Sequence, residues 1–289
     1  MNYILHLLIM IGIYLILAYS LNLVLGFGGL LSLCHAAFYG IGAYTYTLIS
    51  MHFHLPFVLC IAASVLITGF LAFLVGIPGL KFRGDPFVLV TLGFQVIIFS
   101  ILYNWVSLTK GPYGIAGIPR PEIFGLKIDS LFSYLGLVWI SFLIIGIFFY
   151  FIYNSPFGLA LKALREDERA AESLGKSAYH YFLYAFAISG AIAAIAGTLY
   201  ATYVTYIDPT SFTVDESIFQ IAILLVGGSG NLLGPAVGTV FMVLLPEALR
   251  FLGIPDSIAP NVRQMIYGLI LIVLMYFRPQ GIVGEFKVK

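Results

Sequence analysis

From Met1 to Leu80 the chain carries no Asp, Glu, Lys or Arg, and its first charged side chain is Lys81. Only a low-dielectric surrounding suits such a run. A charge at a bilayer centre costs roughly 2.5 to 3.5 kcal/mol on insertion scales, and about 20 apolar residues cross the hydrocarbon as a helix. Divided by its Gly, Pro and polar punctuation, the hydrophobic pattern predicts helices over Tyr3–Leu25, Leu30–Ser50, Pro56–Ile77, Pro86–Trp105, Leu131–Tyr153 and Tyr179–Tyr206. The stretch Ile218–Arg250 is too long for one span. It is interrupted by Gly227-Gly228-Ser229-Gly230-Asn231 and Gly234-Pro235, so it reads as two short helices around a break, and Val262–Phe277 closes the series. The expected fold is all-α, a polytopic membrane helical bundle of about nine spans, with short broken helices near the C-terminal end. A single transmembrane domain over residues 1–289 accommodates the pattern.

Composition removes the other classes. Hydrophobic residues make up 61% of the chain, charged residues 9%, and the mean hydropathy is +1.03, whereas a soluble domain carries about 25% charged residues. A net charge of +1 supplies no basic surface for nucleic acid, and the few charges fall between apolar blocks, as loops would. Cys34 and Cys60, the two cysteines, lie inside apolar blocks and read as small buried hydrophobes. Met1-Asn2-Tyr3-Ile4 lacks a positive leader, and the run behind it is too long for a signal h-region, so it is expected to be retained as the first span.

Lysine and arginine set the orientation. With the loop Asn154–Ala178 taken as cytoplasmic, nine of the 14 basic residues share that side: Lys81, Arg83, Lys162, Arg165, Arg169, Lys176, Arg278, Lys287 and Lys289. Lys110, Arg120, Lys127, Arg250 and Arg263 fall on the other. The bias predicts an external N-terminus and a cytoplasmic C-terminus. The acidic loop Asp208–Glu216 is then external, and Glu247, Arg250 and Arg263 flank the last helices at the outer interface. Many of the 30 glycines gather at Gly26–Gly42 and Gly227–Gly238, where small residues let helices approach closely or unwind locally.

One polar element stands apart. Ser155 to Gly175 is expected to be a helix, with Ser155 as N-cap, Pro156 in the first turn and Gly175 in the left-handed position after its end. At about 100° per residue, Leu159, Ala160, Ala163, Leu164, Ala170, Ala171 and Leu174 share one face, and Lys162, Arg165, Glu166, Glu168, Arg169, Glu172 and Ser173 the other. Asp167 falls in the middle of the small-residue face, which suits a protein partner better than lipid.

These blocks resemble the LivM family, permease subunits of branched-chain amino acid ABC importers. The resemblance is carried in order by Gly29-Leu30-Leu31-Ser32-Leu33-Cys34-His35-Ala36-Ala37-Phe38-Tyr39-Gly40, by Leu80-Lys81-Phe82-Arg83-Gly84-Asp85-Pro86-Phe87 and by Gly111-Pro112-Tyr113-Gly114-Ile115. The core Ala163-Leu164-Arg165-Glu166-Asp167-Glu168-Arg169-Ala170-Ala171-Glu172-Ser173-Leu174-Gly175 and Gly227-Gly228-Ser229-Gly230-Asn231-Leu232-Leu233-Gly234-Pro235 continue it. It implies a permease domain that pairs with a LivH-like subunit, two cytoplasmic ABC ATPases and an external substrate-binding protein. The family's cytoplasmic coupling helix maps onto residues 155–175. Leu164, Arg165, Glu166, Asp167, Ala170, Ala171 and Gly175 are then the residues expected to meet the ATPase.

Gly175-Lys176-Ser177 matches the end of a phosphate-binding loop. Ala170 stands where the first glycine should, and no strand precedes it, so the match is accidental. No cofactor is therefore expected on this chain, and the resemblance leaves ATP and Mg to the partner ATPases. Ser32, His35, Tyr44, Thr91, Gln95 and Asn104 are polar groups inside predicted spans and are the candidate lining of a pathway. A permease for urea or short amides is the nearest alternative. A secondary transporter is disfavoured by the charge-free first 80 residues, because such proteins embed ionisable groups at their sites. A membrane enzyme is disfavoured by the scatter of His6, His35, His52, His54 and His180.

Overall fold

A computed structural model describes residues 2–82, 84–123, 126–250, 259–277 and 280–284. Helix α1, Asn2–Asn22, continues into a π-helical turn, Leu23–Phe27. There follow α2 (His35–Phe53), α3 (Phe57–Gly79), α4 (Asp85–Asn104), the short α5 (Val106–Thr109) and α6 (Leu131–Asn154). After them come α7 (Pro156–Glu166), α8 (Glu168–Ser173), α9 (Ala178–Val204), α10 (Val214–Gly227), α11 (Leu233–Arg250) and α12 (Ala259–Phe277). The only strands among the described residues are two-residue pieces. Ile115–Ala116 (β1) pairs antiparallel with Tyr206–Ile207 (β4), and Glu122–Ile123 (β2) with Leu126–Lys127 (β3).

Five of these helices are long and apolar enough to cross a membrane: Asn2–Phe27, α3, α4, α6 and α9. They divide into two populations. Most of α1 and α9 is buried inside the chain, whereas α3, α4 and α6 expose most of their apolar surface. Leu66, Phe70, Leu89, Ile97, Ile144 and Phe151 all face outward. Such a face belongs in hydrocarbon, where every backbone polar group of a helix is already satisfied.

Small residues decide how closely the inner helices meet. A Cβ at Gly42 of α2 would collide with the Ala194 backbone of α9, and one at Gly190 with the Ala72 side chain of α3. At Gly227, Gly234 and Gly238 the backbones of α10 and α11 themselves leave no space for a Cβ. Lipid supplies no hydrophobic drive between helices, so this close packing carries the association.

The expected helix Leu30–Ser50 starts later than the pattern predicts. Residues 28–34 are non-helical and α2 begins at His35. Non-helical backbone persists at such positions only where protein surrounds it, and here Leu30, Ser32 and Cys34 are buried. The segment Asp208–Glu216 also departs from a surface loop. Its 3-10 turn, Pro209–Phe212, sends Phe212 into the bundle against Tyr39, Tyr44 and Tyr200. The predicted break after α10 is present. Gly228 adopts φ +100°, and residues 282 and 283 close over it, with the amides of Ile282 and Val283 donating to the Val226 and Gly227 carbonyls at 2.9 and 3.0 Å. Arg83, Arg278, Lys287 and Lys289 lie outside the described residues, as do the side chains of Arg250 and Arg263.

Candidate pathway and coupling site

Two helices start inside the bundle. The first turns of α2 and α10 both abut the middle of α4, and helix starts leave backbone N–H groups that need acceptors. Thr91 Oγ1 accepts from Leu33 N at 3.1 Å, Gln95 Oε1 from Ala37 N at 2.7 Å, and Ser217 Oγ from Ala36 N at 3.0 Å. Gln95 Nε2 in turn donates to the Phe212 carbonyl at 2.8 Å. Gln95 thus fastens α4 to both inward-dipping segments at once. His35 Nε2 lies 2.7 Å from Ser20 Oγ, whose proton goes to the Leu17 carbonyl. With that proton committed, His35 is the donor.

Ser32, His35, Thr91 and Gln95 are therefore gathered around the start of α2, where Ser32 Oγ also lies 3.2 Å from Cys34 Sγ. Tyr44 stands farther along α2 beside Phe212, and its buried hydroxyl has no partner among the described residues. Asn104 is separate. It is exposed at the far end of α4 and donates to Ser100 O on its own helix at 2.8 Å.

The segment Ser155–Gly175 differs from its expected form. Ser155 does cap the helix, accepting from Gly158 N at 3.3 Å with Pro156 following. At the other end Gly175 adopts φ +80°, with Gly175 N donating to Glu172 O at 2.9 Å and Lys176 N to Ala171 O at 3.2 Å, the paired closure of a Schellman turn. Between them the helix is not continuous. Asp167 is extended (φ −147°, ψ 101°), and its carboxylate accepts from Ala170 N at 3.0 Å, capping α8. Three successive acids explain the break. Asp is among the best N-caps, and a new helix start places Glu168 at the favourable end of the dipole while Arg165 closes α7 at its own. Asp167 therefore does not sit in the middle of one small-residue face. Leu164, Ala160 and Ala171 pack inward, while Leu159, Ala163, Ala170 and Leu174 are exposed.

Arg165 is the larger departure, because the helical periodicity places it on the solvent arc. Its guanidinium instead donates to the Gly26 carbonyl in the π-helical turn and pairs with Glu166 at 2.8 Å. Lys162 does likewise, with Nζ 4.8 Å from the centre of the Phe27 ring, whose other face stacks on Tyr153 at 3.8 Å. Four residues earlier in α1, Asn22 reaches the opposite way. Its amide nitrogen donates to Asn231 O at 2.8 Å, and its amide oxygen accepts from Gly230 N at 3.2 Å. The chain from α7 through the π-turn to the α10–α11 break is thus continuous.

Sequence reasoning missed Asn22, Tyr14, Glu216, Ser217 and Gln220. The one available signal was Asp215-Glu216 ahead of an apolar run, a pattern that opens helices. It does not disclose that the helix opens inside the bundle.

Long apolar helices, shorter helices starting within the bundle and an amphipathic element gripping one of them define an integral membrane protein of the transporter kind. Residues 3–275 match the family described as the permease component of a branched-chain amino acid transport system, and the chain belongs to that family. It is 36% identical to the high-affinity branched-chain amino acid transport system permease protein LivM of Salmonella typhimurium, over 93% of this chain and 67% of the relative. The figures for LivM of Escherichia coli are the same. The probable LivM of Methanocaldococcus jannaschii is 28% identical over 77% of this chain and 68% of the relative. No solved structure matches.

Proposed function

We propose that this chain forms, with a LivH-like permease subunit, the pathway of an ATP-driven importer for leucine, isoleucine and valine. Two cytoplasmic ATPases supply the work, and an external binding protein supplies the substrate. The observation that carries this reading is the similarity to LivM along nearly the whole chain. In this reading the chain crosses or enters the membrane about nine times, with its N-terminus outside and residues 155–175 in the cytoplasm.

The geometry supplies a mechanical account. The exposed faces of α7 and α8, with Leu159, Ala163, Ala170 and Leu174, receive the ATPase. Arg165 and Lys162 pass its movement to the π-turn of α1, and Asn22 passes it to the break between α10 and α11. A packed interface with two discrete arrangements converts such a shift into alternating access. Gln95, Thr91 and Ser217 keep the starts of α2 and α10 registered on α4 while the bundle rocks.

The test is uptake of labelled leucine against labelled urea in vesicles holding the chain with its partner subunits. ATP-dependent accumulation of leucine, with urea at the level of empty vesicles, is expected. Accumulation of urea with no leucine uptake would assign the chain to the amide permeases.

A further inference from the structure

We propose that Glu216, Gln220 and Tyr14 form a binding site for a primary ammonium group, that of the amino acid as it passes between α1 and α10. The proposal rests on the substrate class assigned above. Glu216 lies in the first turn of α10, the helix that opens against the middle of α4. An ionisable side chain at such depth is costly unless paired or put to use. Among the described residues no lysine, arginine or histidine is paired with it. Its neighbours are the Gln220 amide nitrogen, 3.4 Å from one carboxylate oxygen, and the Tyr14 hydroxyl beside it.

The arrangement has acceptors to spare. The Gln220 side chain is fully buried with its head at Glu216, and its amide oxygen has no partner. Leaving a buried acceptor unmatched carries the full cost of its desolvation. The Tyr39 hydroxyl, close enough to feel the Glu216 charge, is likewise buried and unmatched. An ammonium brings three N–H donors and one positive charge, which matches a carboxylate and an amide oxygen in one place. Neutral urea lacks the charge. Glu216 and Tyr14 are each half-buried as residues. Leu31 and Leu33 pack against the same helix group and give an aliphatic side chain apolar neighbours.

The experiment uses the complete complex in vesicles, with assembly checked by co-purification. Glu216→Gln is expected to reduce leucine uptake at least tenfold, while Ile218→Ala, an exposed neighbour on α10, keeps the wild-type rate. A second variant separates charge from shape. Glu216→Cys should be inactive, regain uptake after reaction with a sulfonate-bearing methanethiosulfonate, and stay inactive after the methyl reagent. Wild-type uptake by Glu216→Gln overturns the site, and so does a loss in Glu216→Cys that both reagents, or neither, repair. Failure of the unmodified complex to take up leucine would instead overturn the substrate assignment.

Discussion

Gly197→Leu removes most of the folded protein, because no rearrangement of side chains can make room for it. A Cβ at this position of α9 would meet the Tyr39 carbonyl and the Ala43 amide of α2, both backbone atoms. Overpacking costs typically 1 to 3 kcal/mol where side chains can yield, so a backbone collision should cost about 3 kcal/mol or more. The tight α2–α9 contact also holds the start of α2 in place, and its loss would release the Gln95 and Ser217 bonds. Gly93 of α4 is the control, since a Cβ there meets nothing within 4 Å. Thermal unfolding followed by size-exclusion chromatography in detergent should show Gly197→Leu aggregated or strongly destabilised and Gly93→Ala close to the unmodified protein. Equal melting temperatures would mean that the two helices do not approach as described.

Arg165→Met should separate force from movement. Methionine keeps an unbranched apolar stem over Gly29, whose space the Arg165 side chain occupies, but cannot donate to the Gly26 carbonyl. Hydrogen bonds from charged groups contribute about 1.5 to 3 kcal/mol, and each 1.4 kcal/mol is about tenfold in an equilibrium. Leucine uptake per assembled complex is therefore expected to fall about tenfold or more. Lys162, which grips Phe27 from the same helix, sustains the remainder. Unchanged uptake would show that movement enters the bundle by another route.

The two variants also mark what sequence could and could not disclose. Lipid demands long uncharged blocks, and so α1, α3, α4, α6 and α9 are legible from their composition alone. The break after α10 is legible because glycine and proline announce it. The inward start of α2 is hidden, since what permits it is acceptors distant in sequence: Thr91 and Gln95 serve amides 58 residues away, and Ser217 one 181 residues away. That of α10 is hidden because Ser217 meets Gln95 across 122 residues. Glu216 reads as part of an external loop for the same reason. Between Asn154 and Ala178 both helix ends are correctly marked by Ser155 and Gly175, while the interior is not. A helical wheel presumes one continuous helix, and Asp167 ends one and begins another. Arg165 and Lys162 are assigned to solvent by periodicity, yet a cation finds a carbonyl or a ring wherever the fold presents one.

In the function proposed above, the drive of the partner ATPases enters through residues 155–175, which must then face the cytoplasm. Ser173 is exposed on α8, while Cys34 and Cys60 are buried, so Ser173→Cys offers one reactive thiol at that element. In membrane vesicles, a membrane-impermeant maleimide should label it when the vesicles are inside-out and leave it unlabelled when they are sealed right-side-out. Labelling in the right-side-out vesicles would place residues 155–175 on the external side and rule out that entry route.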